Sequence, residues 1–178
     1  MPKRIEVRIS GLGGQGVVLA GEIIGRAAVY EGKHVVQTQS YGAEARGSAA
    51  KSEVIISDSK IGFPKVRKCD VLVAMSQSAV EKHLKDLKGK GVLVVDEDTV
   101  GYIPKTKVKL FRIPATKTAE KLLKSRLYAN VVMLGALAKI TGIVKEEAVE
   151  KAITDSVPES AREANITGFR EGVRIGGP

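Results

Sequence analysis

Three glycines, Gly11, Gly13 and Gly16, stand at the spacing G-x-G-x-x-G between a run of alternating apolar residues and a helical pattern. Glycine tolerates positive φ and lets a ligand approach the backbone, while the start of the following helix offers unpaired N–H groups and a positive dipole end. That combination suits a phosphate. A dinucleotide would also require an acidic residue near the end of the second strand to hold the ribose. That strand instead ends in Gln37-Thr38-Gln39, and the first acid after it is Glu44. Taken alone, the loop leaves three readings: a dinucleotide, another phosphate-bearing ligand, or a tight turn with a structural role only.

Few other residues could carry chemistry. Cys69 is the single cysteine, so this chain can form neither an intrachain disulfide nor a cysteine-rich zinc or iron–sulfur site. It precedes an apolar run and reads as an inert buried thiol. With two histidines, His34 and His83, a histidine-based metal site is also disfavoured; His34 reads as the start of a strand and His83 as an exposed helix position. Asp96-Glu97-Asp98 follows a buried strand, where α/β folds collect ligands, but a solvated loop accounts for it more simply.

The net charge of +9 favours an anionic partner. The basic residues are scattered, however, and no aromatic rings interleave with them, which argues against nucleic acid. Hydrophobic residues make up 43% of the chain and aromatic ones 4%, so the core must rest on Val, Ile, Leu and Ala. No leader is apparent before Ile5, and the apolar stretch from Val131 to Ala138 falls far short of the ~20 residues of a membrane span. A cytoplasmic protein without a membrane partner is expected.

The elements that must position the loop follow from periodicity. Ile5, Val7 and Ile9 alternate with charged residues and predict a strand ending at Ser10, followed by a turn over 11–16. The spacing predicts a helix over 17–30, a strand over 34–38, a polar aperiodic segment over 39–50 and a strand over 51–57. Further strands are expected at 70–75 and 91–96, with a lysine-protected edge strand at 107–113. Helices are expected at 78–88 (closed by Gly89), 116–125, 130–140 (capped by Gly142) and 145–157. This alternation indicates a three-layer α/β/α, Rossmann-like fold with a largely parallel sheet. Residues 1–157 form the single domain expected. Residues 158–178 show no strong period and read as an arm that docks on a partner.

The loop Gly11-Leu12-Gly13-Gly14-Gln15-Gly16 is followed by Tyr41-Gly42-Ala43-Glu44-Ala45-Arg46-Gly47 and later by Asn130-Val131-Val132-Met133-Leu134-Gly135. This triple resembles the gamma subunits of the 2-oxoacid:ferredoxin oxidoreductases, over about residues 5–142. The second motif looks most like the 2-oxoglutarate branch, with pyruvate or a branched-chain oxoacid as the alternative. Ser48 departs from the family pattern, which often has glycine there.

The resemblance implies a subunit of an enzyme that oxidatively decarboxylates a 2-oxoacid, forms an acyl-CoA and reduces ferredoxin. It implies thiamine diphosphate and Mg²⁺ between alpha and beta subunits, [4Fe–4S] clusters on beta and delta subunits, and coenzyme A approached by the gamma subunit. Carried over by position, Gly11, Gly13, Gly14, Gln15, Gly16, Arg46 and Asn130 would lie at the CoA site, and Tyr41, Gly42, Glu44 and Gly47 at a subunit interface. No catalytic residue is expected on this chain. Plainer readings stand beside these: Asn130 as an N-cap, Glu44 and Arg46 as a mutual ion pair, Tyr41 as a packed ring. A free-standing nucleotide-binding module and a basic RNA-binding protein are the rival functions.

Overall fold

The computed structural model describes residues 3–44 and 47–178. A six-stranded sheet runs in the order β2-β3-β1-β4-β5-β6, formed by β1 (Arg4–Leu12), β2 (His34–Tyr41), β3 (Ala49–Ser57), β4 (Cys69–Ala74), β5 (Leu87–Asp96) and β6 (Lys109–Ile113). β1, β4, β5 and β6 pair in parallel; β3 is antiparallel to both β1 and β2. Five strands therefore point one way, and the sheet is largely parallel. The aperiodic segment after residue 38 is the tip of the β2–β3 hairpin, whose strands run longer than the residue pattern implies. β6 is an edge strand that carries Lys109 and Arg112 on its exposed positions, a charge pattern that discourages edge-to-edge pairing.

Helix α1 (Val17–Tyr30) follows β1 and lays Ala20, Ile23, Ile24, Ala27 and Ala28 on the sheet. Helices α3 (Ala115–Leu123), α4 (Ala129–Thr141) and α5 (Glu146–Ser156) join it in one hydrophobic cluster on the same face. The opposite face is thinly covered. The helix expected over 78–88 ends at His83 as α2 (Gln77–His83), passes through one 3₁₀ turn and becomes β5 at Leu87. Gly89 accordingly lies inside the strand, not beyond a helix end. Together with Val66 and Val100 from the connecting segments, α2 encloses a second cluster around Leu72, Leu93 and Val95.

Residues 158–178 are not a waiting arm. Helix α6 (Glu159–Gly176) lies on α4 and buries Phe169 completely within the main core. Gly135 of α4 faces Gly172 of α6 at a backbone-to-backbone crossing: a Cβ at Gly135 would come 2.7 Å from the Val173 nitrogen, and one at Gly172 would come 2.8 Å from the Val132 carbonyl carbon. With the sheet on one side and α6 on the other, α4 has ten of its residues buried, which accounts for its nearly uncharged sequence. Gly142, with φ 59°, ends it in the left-handed conformation.

Candidate functional site

The glycine loop lies at the C-terminal ends of the parallel strands. Gly11 and Leu12 extend β1, paired with Ala50 and Ala49, so the turn is shorter than expected and occupies 13–16. Two of its glycines need positive φ: Gly14 at 91° and Gly16 at 72°. Their surroundings differ. A Cβ at Gly16 would collide with the side chain of Asn130, whose Cγ would lie 2.8 Å away, whereas a Cβ at Gly14 would meet nothing within 4 Å. Gly16 is fixed by packing; Gly14 faces open space.

The remaining loop atoms are braced. Gln15 spans the turn, its Oε1 accepting from the Leu12 N–H at 2.6 Å and its Nε2 donating to the Met75 carbonyl at 2.7 Å. The Gly13 N–H donates to the Ser48 carbonyl at 2.7 Å, tying the loop to the β2–β3 hairpin. Asn130 is in the first turn of α4 rather than at its N-cap, and is buried. Its Nδ2 donates to the Gly16 carbonyl at 3.2 Å, so it supports the loop from behind. At the start of α1, Gly16 is the N-cap residue, no side chain caps the helix, and the first turn carries no acid. Its leading N–H groups are therefore available to an anion.

In front of the loop is a cleft of about 320 Å³. Leu12, Gly13, Gly14 and Gln15 form one wall, Met75 and Thr99 stand at the ends of β4 and β5, and Thr116, Arg126, Leu127 and Ala129 close the far side, with Gly47 at the hairpin rim. Asp96 lies beneath Thr116, fully buried, accepting from the Thr116 hydroxyl at 2.5 Å and its N–H at 3.4 Å. Burial pushes the Asp96 carboxyl up, with the Thr116 bond opposing. It holds the first turn of α3 from the end of β5, the strand paired with β6. The Asp96-Glu97-Asp98 segment is thus no solvated loop: the Asp98 side chain is also largely buried and pairs with Lys117 at 3.1 Å.

The structure thereby brings Gly13, Gly14, Gln15 and Gly47 to one cleft, with Gly11, Gly16 and Asn130 as its supports. Tyr41 and Gly42 face a smaller pocket at the ends of β1, β2 and β3. The Glu44 carboxylate folds back beside Gly42, where a Cβ would lie 2.5 Å from its Oε2. Arg46 lies outside the described residues. Thr99, Thr116, Arg126 and Leu127 have no motif that marks them. Only their positions just after β5 and before α4 hint at a ligand, in keeping with the rule that α/β sheets bind at their carboxyl ends.

A buried polar cluster lies on the other face of the sheet. Arg8, 3% exposed, bonds Glu53 at 2.8 Å, Asp86 at 2.7 Å and the His83 Nδ1 at 3.3 Å. His83 is therefore buried, contrary to its reading as an exposed helix position. Burial, then the charges of Arg8, Lys51 and Lys82, lower its pKa to about 4. Below the ordinary value of 6.5 the unfolded chain takes up a proton at His83 that the folded chain refuses until about pH 4. Stability should consequently fall as pH drops through that window, by about 2 kcal/mol once solvent screening is discounted. Urea unfolding at pH 7 and pH 4.5 should show the loss, and His83→Gln should reduce it; an equal loss in both proteins refutes this role for His83. Cys69 is fully buried at the head of β4, and burial pushes its thiol up to about 11, which leaves it unreactive.

A family profile described as pyruvate ferredoxin/flavodoxin oxidoreductase matches residues 6–175. The chain belongs to that family. It is 52% identical over 175 residues to a 2-oxoglutarate synthase subunit KorC from Methanocaldococcus jannaschii, covering 97% of this chain and 94% of that one. The gamma subunit of a keto/oxoacid ferredoxin oxidoreductase from Geobacter sulfurreducens superimposes with a TM-score of 0.86 at 44% identity, covering 97% of this chain and 98% of the other. A 2-oxoglutarate:ferredoxin oxidoreductase from Magnetococcus marinus, solved with 2-oxoglutarate, coenzyme A and succinyl-CoA bound, matches at a TM-score of 0.87 and 25% identity, over 98% of this chain and 31% of that one. The family match covers α6 as far as Ile175. No described helix is long and apolar enough to cross a membrane.

Proposed function

We propose that this chain is the gamma subunit of a 2-oxoglutarate:ferredoxin oxidoreductase and that its glycine loop receives the phosphates of coenzyme A. The observation that carries the reading is Gly14: positive φ, open space beyond its Cα, and the uncapped start of α1 beside it. A backbone laid out in this way presents N–H donors to an anion without a side chain in the path. The cleft supplies the remaining contacts, with Arg126 for charge and Leu127 for the apolar arm of the ligand. The 52% identity to a 2-oxoglutarate synthase subunit supports that oxoacid over pyruvate or a branched-chain substrate.

The residues present do not suit the other cofactors. One buried cysteine cannot ligate a [4Fe–4S] cluster. Among the described residues no group of three His, Cys, Asp or Glu side chains could hold a metal ion. Thiamine diphosphate, Mg²⁺ and the clusters are accordingly assigned to alpha, beta and delta partners, which bring the decarboxylation and the electron path to ferredoxin. The hairpin tip, with Tyr41, Glu44 and Gly47 exposed around it, is the part of this chain assigned to meet them.

Gly14→Ala and Gly16→Ala separate ligand contact from turn geometry. Both force a side chain into positive φ, at a cost of about 1–2 kcal/mol. Gly14→Ala should also raise the CoA Michaelis constant of the assembled enzyme at least tenfold, by displacing charge-assisted bonds worth about 1.5–3 kcal/mol each. The 2-oxoglutarate constant should hardly move. Gly16→Ala should lose more stability, because Asn130 must shift. A folded, assembled Gly14→Ala enzyme with unchanged CoA dependence refutes the CoA assignment of the loop.

A further inference from the structure

The smaller pocket beside the hairpin, about 80 Å³, is lined by Ser40, Tyr41, Lys51, Lys82 and His83. We propose that it is a phosphate subsite and, resting on the function proposed above, that it takes the 3′-phosphate of coenzyme A. Its lining carries several donors: Lys51 bonds Glu53, while among the described residues no hydrogen bond engages the Lys82 ammonium or the Tyr41 hydroxyl. The His83 side chain is more than nine-tenths buried, and its Nδ1 receives the Arg8 guanidinium. A guanidinium only donates, so Nδ1 is the acceptor and the ring proton sits on Nε2. Among the described residues Nε2 has no hydrogen-bond partner.

Nearby carboxylates are already engaged. Glu53 Oε1 accepts from Arg8 at 2.8 Å and from Lys51 at 3.2 Å, and Asp86 accepts from Arg8. Among the described residues Arg8, Lys51 and Lys82 stand against Glu53, Asp86 and, at the rim, Glu44, so the charges balance until Glu44 moves aside. Glu44, folded against Gly42 at the rim, is the acid that a ligand would have to displace or bypass. A pocket of this size holds a few waters, room enough for a tetrahedral oxyanion. Tyr41 and Ala50 also line a shallow groove running past Gly14, Gly16 and Val18 at the start of α1. A ligand with its pyrophosphate on that helix shares this wall with the pocket.

The full-length chain, with ¹⁵N-labelled histidine, is titrated separately with inorganic phosphate, CoA and dephospho-CoA. Phosphate should shift the His83 ring resonances saturably while leaving His34 unmoved. CoA should bind about tenfold more tightly than dephospho-CoA, and Lys82→Gln should remove most of that preference without altering dephospho-CoA binding. A phosphate response with equal binding of the two nucleotides keeps the subsite and assigns it to free phosphate. A phosphate response with neither nucleotide bound, by this chain or by the assembled enzyme, keeps the subsite and sinks the CoA function. No response at His83 up to about 50 mM phosphate, a range that reaches very weak binding, overturns the subsite. So does a CoA preference that survives Lys82→Gln.

Discussion

Gly172→Val is expected to lift α6 from α4 and to lower stability by at least about 3 kcal/mol, at or beyond the upper end of ordinary overpacking. Two opposing effects decide the sign. Within a helix, replacing glycine ordinarily gains a few tenths to about 1 kcal/mol of propensity. Here the new Cβ would meet the Val132 carbonyl group of α4, with its carbon 2.8 Å and the Val132 Cα 3.0 Å away. Those are backbone atoms within a buried helix, and no rotamer change relieves them. Separation of the helices would expose Phe169, a side chain whose burial is worth about 1.5–3 kcal/mol. Urea unfolding measures the loss, and trypsin provides an independent readout, because a detached α6 should be cut at Arg162 or Arg170. Gly62→Ala, at a position with nothing within 4 Å, is the control and should change stability by no more than about 0.5 kcal/mol. A Gly172→Val protein with a wild-type midpoint and an uncut α6 would rule out the close crossing.

Arg8→Met should cost about 3–5 kcal/mol, the range for removing one partner of a buried ion pair. The guanidinium is the hub of the thin face of the fold. It bonds Glu53, Asp86, His83 and the Val66 carbonyl, and so holds β1, β3 and the start of β5 together from within. Asp86 illustrates the balance: burial pushes its carboxyl up, yet the Arg8 bond and charge outweigh that and hold it below the usual range. Methionine fills much of the volume but leaves Glu53, 9% exposed, with Lys51 as its remaining charge partner. Adding Glu53→Gln should therefore restore part of the loss. If the double variant is less stable than Arg8→Met by the full cost of Glu53→Gln alone, the two side chains are not coupled and the network account fails.

Local pattern was sufficient wherever one physical rule governed a segment. Val17 to Tyr30 forms α1 over the residues that its small and apolar spacing predicts, because that face alone meets the sheet. The central strands β4 and β5 were legible because a strand covered on both faces must be apolar throughout. Gly142 was legible as a cap because positive φ follows directly from the end of a helix. The glycine loop was legible as a place, though not as a division of labour among its glycines. That Gly16 is held by Asn130 and Gly14 by nothing depends on a residue 114 positions away.

The tertiary structure decided the rest, for identifiable reasons. Gly168, Gly172 and Gly176 read as helix breakers in a sequence, since each costs about 1 kcal/mol of propensity. They become the contact surface of α6 only because α4 presents Val131, Val132 and Ala136 to them. His83 lies on a short helix whose one periodic face gives no sign of a buried arginine beneath it; its partner Arg8 touches it at 3.3 Å but is 75 residues away in sequence. The far side of the cleft, Thr116, Arg126, Leu127 and Ala129, is assembled from the first turn of α3 and the approach to α4, which share no motif. Periodicity specifies which face of an element is apolar. It carries no information about which partner arrives there, and both the long-range polar contacts and the shape of the cleft depend on that choice.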